Sequence, residues 1–127
     1  MYVWESAVLF TVLIGIVILF QLALAAGMPW GSYAMGGMYP GKYPPVMRLV
    51  CIFQVLILAV LASIVLTKSG SIFPDWISFA NSAIWFVVGF SAIATILNVI
   101  TKSKWERRIW APVSLLMLIT SIVVAIG

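Results

Sequence analysis

Apolar residues run almost unbroken through four stretches of this chain, and polar residues gather in the gaps between them. The stretches are 6–26, 45–67, 77–100 and 109–126. A helix that crosses a bilayer needs about 20 mostly apolar residues, with a working range of about 17–25. All four fit, and none alternates in the manner of a barrel strand. Lipid offers the backbone no hydrogen-bond partner, so helices are the remaining option. The predicted fold is an all-α integral membrane protein, with four transmembrane helices in an up-and-down antiparallel bundle. It forms a single domain over 1–127, with a long structured loop at 27–44 between helices 1 and 2.

The ends of the runs carry matching signals. Tyr2 and Trp4 precede the first, where amphipathic rings favour the headgroup level. Gly27 and Pro29 stop it, and Pro44 and Pro45 suit the first turn of the second. Asp75 favours the positive end of the third, and Pro112 is expected in the first turn of the fourth. No basic residue precedes the first run, which reads as a retained span and not as a cleaved signal.

Composition agrees with this picture and narrows the chemistry. Of 127 residues 65% are apolar and 8% are charged, against about a quarter charged in a soluble domain. There is no histidine, and Cys51 is the lone cysteine, so intramolecular disulfides and histidine or multi-cysteine metal sites are excluded. The carboxylates Glu5, Asp75 and Glu106 lie outside the deep parts of the runs. No nucleophile–base pair and no metal set can be assembled, so no catalytic residue, cofactor or enzymatic activity is expected. Met28, Met35, Met38 and Met47 suggest copper, but no histidine or second cysteine assists them. The loop glycines lack phosphate-loop spacing.

Charge fixes an expected orientation. Lys42, Arg48, Lys102, Lys104, Arg107 and Arg108 flank the first and third connections, and only Lys68 flanks the second. Under the positive-inside rule both basic connections face the cytoplasm and both termini lie outside. The basic rim attracts anionic headgroups of membrane lipids, and nucleic acid is not an expected partner.

The loop is the one long segment that is not simply apolar. Gly27, Pro29, Gly31, Gly36 and Gly37 are expected to structure it, and Trp30 and Tyr33 to sit at the interface. Long loops in compact domains tend to be functional, so it is expected to fold back over the mouth of the bundle. Beneath it, Gln21, Gln54 and Asn98 approach one membrane level from three spans. Such amides are costly in lipid unless paired. They serve either as interhelical glue or as the wall of a polar ligand pocket together with Trp30, Tyr33 and Arg48. Arg48 and Glu106 are candidates for an interfacial ion pair. A stripe of Ala80, Ile84, Val87, Ser91, Ala94 and Asn98 marks the packing face of the third span.

AAGMPWGSYAMGG, PPVMR and NVITKSKWERRIWAPV resemble an uncharacterised family of small bacterial four-span membrane proteins. That resemblance implies a place in the bacterial cytoplasmic (inner) membrane. It marks Gln21, Gly27, Pro29, Trp30, Gly31, Gly36, Gly37, Arg48, Asn98, Glu106 and Arg107 as the shared pattern. Small multidrug transporters are similar in size but rely on a carboxylate in the first span, which 6–26 lacks. The leading expectation is a pocket at the cytoplasmic half for a lipophilic or small neutral ligand, or for a partner helix. The alternative is a homo-oligomeric small-solute transporter or channel.

Overall fold

The structure, a computed structural model, describes residues 2–34 and 37–127, in which all regular structure is helical. Met35 and Gly36, the latter expected to structure the loop, lie outside the described residues. Four long helices carry the fold: α1 (Val3–Ala26), α2 (Pro45–Lys68), α3 (Ile77–Ile100) and α4 (Lys104–Ile126). At ~1.5 Å per residue, helices of this length exceed the ~30 Å hydrocarbon core of a bilayer. All four are long and apolar enough to cross a membrane. Only 22% to 28% of each apolar window is buried inside the protein. A helix that is apolar all round belongs in a core or in lipid. With so little of it buried internally, this is the character of a multi-pass membrane protein.

The helices form a ring in which α1 packs on α2 and α4, and α3 packs on α4 and α2. One core cluster joins all four: Ala7, Phe10, Leu13 and Ile14 of α1, Leu58, Leu61, Ile64 and Val65 of α2, Ile84 and Val87 of α3, and Met117 and Val124 of α4. A second cluster contains Leu24, Ala34, Tyr43 and Cys51, drawn from α1, the loop and α2 alone. At this end the helices are held together differently, which creates the space described below.

The α4 boundary differs from the sequence expectation. The helix begins at Lys104, not near Ile109, so the basic stretch before the apolar run is already helical. Pro112 therefore lies inside the helix and not in its first turn. Its missing N–H leaves the Arg108 carbonyl without the usual donor. The signal for the earlier start was present: Ser103 and Glu106 form an S-x-x-E pattern, and Ser103 Oγ accepts the Glu106 backbone N–H at 3.2 Å. The Ser103 N–H goes to Thr101 Oγ1 at 3.2 Å, so the second half of a capping box is supplied by a threonine.

Candidate ligand cavity beneath the loop

The loop is anchored from its first residues. Gly27 adopts φ 100°, and its N–H reaches Leu24 O while that of Met28 reaches Ala23 O. These two bonds make a Schellman turn, which a residue with a side chain enters only with strain. The next orphan carbonyl of α1, Ala25 O, accepts Arg48 Nε at 2.7 Å. A guanidinium at a helix C-terminus also meets the negative end of the dipole. Arg48, expected as a pocket wall and as the partner of Glu106, thus ties the start of α2 to the end of α1.

Gly31 is the tightest point of the loop. Its N–H donates to Gly41 O at 2.9 Å, and a Cβ there would collide with Tyr39 O and lie 2.6 Å from Gly41 O. Only a bare Cα lets the two halves of the loop meet at this place. Gly37 turns at φ 75°, and Pro29 is exposed. The Ser103 hydroxyl, while capping α4, donates to Ser32 O at 2.6 Å. One side chain therefore fastens the α3–α4 connection to the loop. Tyr33 rests on Trp105 with ring centroids 5.8 Å apart.

Under this assembly lies a cavity of about 920 Å³. Ligand pockets span about 300–1,000 Å³, so there is room for a sizeable lipophile. From the loop, Ala34, Met38 and Tyr43 face it. From α1 come Val17, Phe20 and Gln21, and from α2 Met47, Val50, Cys51, Gln54 and Leu58. The final turns of α3 give Ala94, Leu97 and Asn98, and the first half of α4 gives Glu106, Trp110 and Ser114.

The three amides do converge, but the wall between them is mainly apolar and not a polar pocket. Asn98 is used as glue: its Nδ2 donates to Ser114 Oγ at 3.1 Å and to Trp110 O at 3.3 Å, linking α3 to α4. Gln21 and Gln54 make no side-chain hydrogen bond among the described residues. Trp30 and Tyr33 lie elsewhere, around a smaller hollow of about 360 Å³ with Phe20, Ile109 and Trp110.

Three wall residues were not singled out from sequence as part of the pocket. Glu106 is 7% exposed and faces the cavity, where an interfacial position was expected. Tyr43 is 3% exposed, and its hydroxyl has no hydrogen-bond partner among the described residues. Burial pushes its phenol up to about 12, and the acidic groups of Cys51, Glu106 and Tyr39 add to that. Trp110 has a buried Nε1 that likewise lacks a partner among the described residues, while its ring tilts against Phe20 at 4.8 Å.

Against known proteins, no family model, curated sequence or solved structure matches this chain. The site is therefore read from its own chemistry.

Proposed function

We propose that this is a non-enzymatic, multi-pass membrane protein that holds a lipophilic ligand in the cavity beneath its loop. The observation that carries this reading is the cavity itself. It is large and mainly apolar, and its few polar groups include the side-chain amides of Gln21 and Gln54, which make no side-chain hydrogen bond among the described residues. A ligand with a small polar end bonds such an amide while filling the apolar space.

The reading includes a topology. The helices run up and down in antiparallel order, with both termini outside and the basic connections in the cytoplasm of a bacterial inner membrane. The loop and the mouth of the cavity then sit at the cytoplasmic headgroup level, beside anionic lipids drawn by the basic rim.

Native mass spectrometry of the protein released from membranes into detergent tests the reading. Expected is a retained lipophile that Ala94→Phe, which fills the cavity, displaces while the thermal midpoint stays close to that of the parent. Equal retention by the variant, or an empty parent protein, would refute it. The same spectra report subunit number. A defined oligomer together with solute flux in vesicles would favour the transporter alternative.

A further inference from the structure

Gly27 is crowded by two cationic side chains. A Cβ placed on it would lie 2.9 Å from Lys42 Cε, 3.4 Å from Arg48 Nη2 and 3.6 Å from Arg48 Cζ. The loop and the first turn of α2 thus bring a lysine and a guanidinium over the same Cα. Arg48 donates its Nε to Ala25 O, and its two Nη atoms make no hydrogen bond among the described residues. Arg48 is half-buried, yet neither Nη atom is sealed off, and Lys42 is exposed. Neither cation forms an ion pair among the described residues. Glu5, in the first turn of α1, and Asp75, beyond the far end of α2, are each a whole helix away.

We propose that Lys42 and Arg48 form a clamp for a phosphate group, held beside Gly27 where α1, the loop and α2 meet. Like charges at this range repel, and the carbonyl end of α1 offsets that repulsion only in part. An anion between them offsets the remainder. The planar Nη pair of Arg48 matches two phosphate oxygens, and Lys42 Nζ adds a third donor as a compact charge. Gly27 then serves twice: it closes the turn after α1, and its bare Cα leaves Lys42 its place. Both helices that meet here are long and apolar enough to cross a membrane, so the clamp lies where a span gives way to headgroups. The phosphodiester of a lipid headgroup is therefore the expected source, with free phosphate as the other. The clamp does not depend on what fills the cavity.

The full-length protein in an uncharged maltoside detergent is titrated with dioleoylphosphatidylglycerol, and bound lipid is counted by native mass spectrometry. Lys42→Met keeps the apolar stem beside Gly27 and removes the charge. It is expected to lower phosphatidylglycerol retention roughly tenfold or more, the loss of one charged hydrogen bond, with an unchanged thermal midpoint. Lys104→Met, which removes another charge from the basic rim, is expected to leave retention unchanged. A parallel arm adds inorganic phosphate and reads the thermal midpoint. Dependence on Lys42 in the lipid arm assigns the headgroup, and dependence in the phosphate arm alone assigns free phosphate. Dependence in neither arm, or an equal loss in Lys104→Met, would overturn the proposal. Titration with dioleoylglycerol, which has the same chains and no phosphate, reports on the cavity instead, so the clamp and the lipophile reading fail separately.

Discussion

The two ends of the bundle are built on opposite plans. At the closed end, all four helices contribute to one apolar cluster, and Phe10, Ile14, Leu61, Ile84, Val65 and Val124 are fully buried. At the loop end, α1 and α2 are joined by backbone turns, a guanidinium and a glycine contact, and the space between them and α3–α4 is left hollow. Inside lipid, apolar side chains gain little from leaving their surroundings, so helices are held by close packing and by polar bonds. The closed end uses packing across all four helices. The loop end packs only α1, the loop and α2 and adds polar bonds, and so keeps an empty centre toward α3 and α4.

The largest expected difference tests packing. Phe10→Ala removes a fully buried ring from the closed end. In lipid the transfer contribution shrinks but the cavity contribution remains, so the loss is about 2 kcal/mol or more, seen as a lower midpoint in detergent unfolding. Leu97→Ala, on the exposed side of the cavity wall, is expected to stay within about 0.5 kcal/mol of the parent. Equal losses would mean that the hollow end is packed after all.

Gly31→Ala tests the glycine contact. The new methyl cannot coexist with Tyr39 O and Gly41 O in their present positions. Overpacking of this kind costs roughly 1–3 kcal/mol. Limited proteolysis is expected to find the loop newly accessible while the closed end resists. A protected loop would show that the two halves can separate without consequence.

The division also marks what sequence could reveal. Apolar runs gave the four helices, because a membrane span is a local property of composition and length. Gln21, Gln54 and Asn98 converge as their depth along each run suggested. Depth, however, does not say whether an amide points at a neighbour, and only Asn98 turned out to bond across helices. Glu106 was expected at the interface, yet it and Tyr43 are buried on the cavity wall with Ala34 and Met38 of the loop. That is a long-range arrangement that no local pattern encodes. Ser103 was legible in part. The S-x-x-E pattern marks the cap, but nothing near it in sequence points to Ser32.

Ser103 allows the two roles to be separated. Ser103→Ala removes both the cap and the bond to Ser32 O, with an expected loss of about 1 kcal/mol from the cap alone. Ser103→Asp restores an acceptor for the Glu106 N–H but supplies no donor to Ser32 O. It is expected to recover the stability of α4 in hydrogen exchange while the loop stays more open than in the parent. Full recovery of both would mean that the bond to Ser32 contributes nothing to closing the cavity.

The smallest effect is confined to alkaline pH and to one residue. The closed-end cluster consists of apolar residues, so no titration acts there directly. Tyr43 at the loop end has its phenol raised from 10.0 to about 12, chiefly by burial. Folding therefore favours the protonated phenol. Its contribution to stability is fully present below pH 10 and is lost as pH climbs toward about 12. A near-ultraviolet phenolate titration is expected to show a phenol that ionises well above pH 10, and Tyr43→Phe to delete that late step. The thermal midpoint of the parent is expected to fall through the same interval, and that of Tyr43→Phe to fall less. If the late step survives in the variant, the Tyr43 phenol is reached by water at ordinary pH, and the loop does not seal that end of the bundle.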